Sequence, residues 1–194
     1  LRRNKDLSII MIDADHFKEV NDTLGHEIGD ALLIETAHRI LSTVRELDIV
    51  ARLGGDEFTV ILSQVGEVNQ IEKIAQNILA KLSMPFYLND KATYISASIG
   101  ITFYPNDADN LEQLLKYADQ AMYVAKNQGR NQYAFFTAAI QEAAQARLRM
   151  VNDLRNALQQ QQFSICLQPI IHLASGRIHK AESLIRWQHP ERGM

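Results

Sequence analysis

A second cysteine is missing. Cys166 stands alone among 194 residues, so neither an internal disulfide nor a multi-thiolate zinc site can form. A reducing compartment, the cytoplasm, is the expected setting. No apolar run approaches the ~18–20 residues that cross a bilayer, and no charged-then-apolar leader opens the chain. The sequence therefore reads as soluble and unexported, with no membrane contact. Hydrophobic residues at 46% and charged residues at 22% argue against a disordered tail, a collagen-like repeat or a coiled coil. No internal repeat is present, and four glutamines at 159–162 are too few for a low-complexity tract.

Positive charge is scarce where a polyanion would need it. Residues 1–136 carry a net charge of −6 and residues 137–194 a net of +3. Duplex nucleic acid binds through neutralised phosphates, so it is a poor partner for the first part. A site taking one or two nucleotides through metal ions stays open, because the metals bring the charge. The length allows one ordinary domain and something extra.

Leu7 to Ile12 form a short branched apolar run, predicting a strand buried on both faces that stops at Asp13. From Asp30 on, Leu33, Ala37, Ile40, Leu41 and Val44 recur at steps of three and four, predicting a helix ending near Arg45. Strand-like pieces at about 49–53 and 57–62 flank Gly54-Gly55, a hairpin signal because glycine accepts the positive φ of tight turns. A second helix is predicted over Val68–Leu82, closed by Pro85. At 94–103 apolar residues alternate with Ser96, Ser98, Gly100 and Thr102, predicting a strand with one buried and one small or polar face. A third helix spans about 111–125 and stops at Gly129, and a strand follows at about 132–136. The order β-α-β-β-α-β-α-β, with hairpin and crossovers, predicts an α/β (α+β) fold with a mixed central sheet flanked by helices.

After Thr137 the composition turns to Ala, Gln and Arg, predicting an exposed connecting helix over 137–162. Two strands follow at 163–171 and 178–187 around Ser175-Gly176. About 32 residues cannot bury a core of their own, so 163–194 read as the opening of a second domain.

Asp13 and Asp15 sit where the first strand ends, the place where open α/β sheets put ligands. A carboxylate there serves as a metal ligand or as a helix cap. Gly54-Gly55-Asp56-Glu57 is by itself either a solvated loop or an acidic site. If the hairpin lies beside the first strand, Asp13 and Asp56 converge into the oxygen-rich set that Mg²⁺ prefers, with places left for substrate phosphates. Lys126 and Arg130 at the third helix's end complement its dipole or bind phosphate. Arg45 and Asp48 are either a helix-end arginine with a capping aspartate or a binding pair.

Gly54-Gly55-Asp56-Glu57-Phe58, the block from Asp13 to Asp30 and Ala125 to Asn131 together resemble the GGDEF family, the diguanylate cyclases, over roughly residues 5–136. The resemblance implies a fold akin to nucleotide cyclases and polymerase palms, and condensation of two GTP into cyclic di-GMP with release of pyrophosphate. It implies that Asp13, the carbonyl of Ala14, and Asp56 hold Mg²⁺, or Mn²⁺ in its place. Glu57 is a further ligand or helps deprotonate the 3′-hydroxyl, and is named with Asp56 as catalytic. Phe17, Lys18, Gly54 and Gly55 fall at substrate positions, Asn21 and Asp30 read guanine, and Lys126 and Arg130 hold the terminal phosphates. Two facing protomers are needed, since one site holds one GTP. Arg45-Glu46-Leu47-Asp48 matches the family's RxxD product-inhibition site, where cyclic di-GMP binds; the basic residue the next helix often adds is missing near Asn77, with Lys73 one turn earlier as the only substitute, so weak inhibition is expected. A catalytically silent module that binds GTP or senses cyclic di-GMP is the alternative.

Residues 163–194, with Gln168-Pro169-Ile170, Glu182-Ser183-Leu184, Arg186-Trp187 and His189-Pro190, resemble the opening of an EAL domain, a barrel phosphodiesterase of cyclic di-GMP. By that resemblance Glu182 is a metal ligand and Gln168 and Arg186 contact the dinucleotide. Such a barrel takes ~250 residues, so these alone are expected not to hydrolyse it. Family members usually carry a further turn and helix ahead of the position where Leu1-Arg2-Arg3-Asn4 opens this sequence. A longer signalling protein with an upstream sensor is therefore expected.

Overall fold

The computed structural model of the chain describes residues 6–64, 67–88, 91–191 and 193; the opening Leu1-Arg2-Arg3-Asn4 lies outside them. The chain divides into two compact units, Leu1–Gln141 and Glu142–Met194.

The first unit is built on a five-stranded sheet of order β2-β3-β1-β6-β7. Its strands are β1 (Leu7–Asp15), β2 (Ile49–Gly54), β3 (Glu57–Ser63), β6 (Ser96–Tyr104) and β7 (Gln132–Phe135). β1 runs antiparallel to both β3 and β6, and β6 runs parallel to β7. The mixed sheet with a hairpin predicted above is thus present. A separate short hairpin, β4 (Phe86–Leu88) with β5 (Lys91–Thr93), was not expected; three-residue strands are too short for an alternation to be read.

The helices are α1 (Phe17–Leu24), α2 (His26–Leu41), α3 (Val68–Leu82) and α4 (Leu111–Asn127). α1 had no counterpart in the apolar periodicity, because only Phe17 and Val20 of its eight residues are buried. α2 starts and stops four residues earlier than expected. Its end is set by hydroxyls that take the last carbonyls: Ser42 Oγ donates to Arg39 O at 2.6 Å and Thr43 Oγ1 to Ile40 O at 2.7 Å, local bonds that compete with further helix.

One sheet face presents Ile10, Ile12, Phe58, Val60, Ala97, Ile99 and Ile101, which share a core with Leu32 and Ile40 of α2 and Ile71 and Ile78 of α3. The other face is covered by α4, whose Leu114, Ala118 and Met122 pack with Ile9 and Met11. The small or polar face expected of β6 is therefore buried as well. Thr102 Oγ1 donates to Leu114 O at 3.3 Å, and Gly100 lets the α4 backbone touch the sheet. The short distance is what those small residues are for. Arg39 pins α2 to the end of α3, donating to Lys81 O at 2.9 Å, Met84 O at 2.8 Å and Pro85 O at 2.9 Å.

In the second unit the later turns of α5 (Ala138–Gln159) accompany an antiparallel hairpin, β8 (Phe163–His172) with β9 (Arg177–Trp187). Ala157 is fully buried, Gln188 N–H donates to Gln162 O at 3.0 Å, and Trp187 Nε1 donates to Gln162 Oε1 at 3.1 Å. Among the described residues no helix is long and apolar enough to cross a membrane.

A methyl group added at Gly100 would lie 1.9 Å from Ala118 O and 2.4 Å from Met122 N. Both are backbone atoms, so α4 as a whole would have to lift. Gly100→Ala is expected to cost roughly 3 kcal/mol of stability, measured by urea denaturation; a loss within error of zero would mean that α4 is not held at this distance.

Candidate functional site

The site follows from the register of three strands. Asp13 on β1 faces Glu57 on β3 and Ser98 on β6, and Asp15 faces Ser96. Directly opposed residues of antiparallel strands point to the same face, so Asp13, Asp15 and Glu57 share the face that α4 covers. The turn between β2 and β3 is fastened there: Ala14 N–H donates to Asp56 O at 3.1 Å. Arg52 Nε closes the same turn on Gly55 O at 2.9 Å. Asp13, Ala14, Gly54, Gly55, Asp56 and Glu57 are thereby brought to one end of the sheet.

Negative charge accumulates in this corner. Burial raises the Asp13 carboxyl above the usual carboxylate range, and Asp56 and Asp15 push it further up, while a hydrogen bond from Lys126 pulls it down. Burial also raises Glu57, with Asp13 and Asp119 of α4 adding to the shift. The demand for a cation is met by Lys126, whose Nζ lies 2.6 Å from Asp13 Oδ2. Lys126 thus reaches the carboxylates themselves. Among the described residues no three His, Cys, Asp or Glu side chains form a metal cage. The oxygen donors, with an ammonium already seated on one of them, nonetheless fit a hard divalent ion completing its shell from a phosphate ligand.

Arg130 Nε lies 3.8 Å from Asp15 Oδ1. Asp15, left by the sequence as a ligand or a cap, is only 2% exposed, and its oxygens accept from Ser96 Oγ at 2.6 Å and Ser98 Oγ at 2.7 Å. Sequence reasoning missed these serines as site residues, although their alternation on β6 marked a polar face.

α1 begins directly after β1, and its first turn has no side-chain cap. Free N–H groups at a helix start suit an anion. The Phe17 side chain is 9% exposed and belongs to the core, which leaves its backbone at the start of α1 to meet a ligand. Lys18 is exposed. Asn21 Oδ1 is buried with no hydrogen-bond partner. It lies where a Cβ of Gly29 would be, 1.7 Å from that position, so only glycine there leaves the carboxamide its place. Asp30, the next residue, is exposed at the rim of an open hollow of about 440 Å³ shared with Leu33, Ile34, Arg52 and Phe58.

Arg45 and Asp48 are held in one turn. Asp48 Oδ2 accepts from Arg45 N–H at 2.9 Å and Oδ1 from Ser63 N–H at 3.3 Å, so the carboxylate closes the turn and the Arg45 side chain is exposed. Gln70 and Ile74 of α3 line the neighbouring hollow, whereas Lys73 does not. In the hairpin of the second unit Gln168 faces Glu182, and Arg186 shares the face of Glu182 four residues on.

The Lys126–Asp13 pair ties stability to pH. Asp13 holds its proton more tightly in the folded chain, so its contribution is fully present below the ordinary carboxylate pKa and is lost as pH rises through the raised value. Lys126 limits that loss. Lys126→Met is expected to cost about 1–3 kcal/mol when unfolded by urea at about pH 7.5 and much less at about pH 4; an equal loss at both would assign the effect to packing.

The diguanylate cyclase GGDEF domain profile matches residues 1–132 and the EAL domain profile residues 151–194. The bifunctional diguanylate cyclase/cyclic di-GMP phosphodiesterase MucR of Pseudomonas aeruginosa is 41% identical over 194 residues, all of this chain and 28% of MucR. The chain spans less than a third of the length of the curated relatives it matches. The crystal structure of the GGDEF domain of TpbB from Pseudomonas aeruginosa superposes with a TM-score of 0.68 at 43% identity, over 70% of this chain and 84% of that one. The GGDEF domain of DgcB from Caulobacter crescentus, solved in complex with cyclic di-GMP, superposes with a TM-score of 0.61 at 26% identity, over 68% of this chain and 78% of that one. Fold, hairpin and profile agree: the chain belongs to the GGDEF domain family, and its last 44 residues match an EAL domain.

Proposed function

We propose that the GGDEF domain of this chain condenses two GTP molecules into cyclic di-GMP, releasing two pyrophosphates. The observation that carries this reading is the bond from Ala14 N–H to Asp56 O at 3.1 Å, which fastens the acidic turn beside Asp13. Asp13, Asp56, the Ala14 carbonyl and Glu57 would hold Mg²⁺ or Mn²⁺. Bound there, the ion supplies charge neutralisation of the attacking and leaving oxygens.

The remaining work falls to the chain. Lys126, on Asp13 in the chain as it stands, would be released to the terminal phosphates were a divalent ion to neutralise that carboxylate, with Arg130 and the first amides of α1 beside it. Asn21 and Asp30 read the guanine edge; the unpartnered Asn21 oxygen supports this, because a base N–H would satisfy it. The 3′-oxygen of one GTP attacks the α-phosphorus of the other, the bond to the β-phosphate oxygen breaks, and pyrophosphate departs. The hydroxyl proton passes to water or, where Glu57 is not a metal ligand, to Glu57. The step then repeats in the opposite sense. Each protomer contributes one GTP, so two copies of the chain must face each other.

Incubation with GTP and Mg²⁺, followed by nucleotide chromatography, is expected to give cyclic di-GMP at a rate per protomer that falls on dilution. Asp13→Asn is expected to reduce it on the order of 100-fold. GTP binding without product would instead favour the silent module, and a rate per protomer independent of dilution would refute the two-copy requirement.

Product inhibition is proposed to act through Arg45, the exposed arm of the turn that Asp48 closes. Arg45→Ala is expected to raise the plateau of cyclic di-GMP several-fold in the same assay without changing the initial rate; an unchanged plateau would remove the inhibitory role.

A further inference from the structure

The segment after α4 holds an unusual backbone. Arg130 and Asn131 both adopt positive φ, 61° and 49°, a conformation that costs a residue with a Cβ and persists only when its surroundings impose it. The restraints come from three directions. Arg130 N–H and Gln132 Nε2 both donate to Ala125 O, at 3.1 and 3.0 Å. Ser83 Oγ, just past α3, lies 2.9 Å from Asn131 Oδ1. Asp15 accepts from Asn131 N–H at 3.4 Å and faces Arg130 Nε at 3.8 Å.

Asp15 is costly where it is. It is buried two residues from Asp13, and its charge raises the Asp13 carboxyl. Two serine hydroxyls orient it rigidly, and its other partners are Arg130 and Asn131. We propose that Asp15 is a positioning residue for the phosphate end of the site: braced by Ser96 and Ser98, it clamps the Arg130–Asn131 turn so that the Arg130 guanidinium is presented to a nucleoside triphosphate's terminal phosphates. This rests on the role given to Arg130 above.

Electrostatics alone predicts the opposite result. Removing a carboxylate, and freeing an arginine from it, should strengthen binding of a polyanion. A loss on Asp15→Asn therefore isolates geometry.

The test measures binding to the 194-residue chain with Mg²⁺, using 3′-deoxy-GTP, which lacks the nucleophile, and GMP, which lacks the terminal phosphates. Arg130→Ala and Asp15→Asn are each expected to weaken 3′-deoxy-GTP roughly tenfold and to leave GMP unchanged. The double variant should be no weaker than about twofold beyond either single one, since both remove one contact. Wild-type affinity in Asp15→Asn, or losses that multiply, would overturn the inference while leaving Arg130 in its role. Full affinity in Arg130→Ala would overturn both. Should Asp15→Asn lose its cooperative unfolding transition, exposed Ser83→Ala decides: about a threefold loss for 3′-deoxy-GTP alone supports the clamp, and an unchanged affinity overturns it.

Discussion

Like charges do not gather without something to hold them, and in this chain the holding is done by the register of β1 against β3. Asp13 opposite Glu57, with the Ala14 amide on the Asp56 carbonyl, forces carboxylates together at the end of a buried strand. The hydrophobic layers on both faces fix that register, since a slip by one residue would exchange Ile10 and Ile12 with Ile9, Met11 and Asp13 between two differently shaped layers. The acidic corner is thus a consequence of core packing elsewhere along the same strands. Its unfavourable self-energy is relieved by Lys126, and the same electrostatic demand is what a divalent cation would satisfy.

α4 links the two halves of that arrangement. Its apolar residues pack on Ile9 and Met11, its closeness depends on Gly100, and its last turn delivers Lys126 to Asp13. The turn beyond it carries Arg130 and is gripped by Asp15. Stability and site geometry therefore share one helix-to-sheet distance, so a defect at Gly100, which pairs with Met11 two residues from Asp13, should also misplace the basic residues.

The larger features were legible. Periodicities of two and of three to four marked β6 and the helices α2 to α4, because those segments bury a continuous stripe; an apolar run marked β1, and the Gly54-Gly55 turn set off β2 from β3. α1 and the β4–β5 hairpin escaped for the complementary reason: α1 buries two residues, and three-residue strands offer no repeat. The polar positions of β6 were read as one face of a strand but not as buried, since burial of Ser98 and Thr102 depends on α4 arriving overhead. Phe17 fell at a substrate position within a motif, and that its ring joins the core was not readable from that motif. Asp48, left as a capping aspartate or half of a binding pair, accepts from the backbone amides of Arg45 and Ser63, bonds that need the tertiary structure to be seen.

Residue chemistry and spacing alone determined that a carboxylate ends β1, that two more sit in a glycine turn, and that lysine and arginine follow a helix; local pattern suffices for these because each lies within one element or its boundary. Which carboxylate meets an ammonium depended on Lys126 of α4, and which accepts from a hydroxyl and a backbone amide depended on partners 83 and 116 residues away. Asp13 and Asp15 are two residues apart on the same face of one strand and are chemically identical. Only the tertiary structure, by setting Lys126 against one and two serine hydroxyls against the other, gave them different work, because a carboxylate's role is fixed by the donors that reach it.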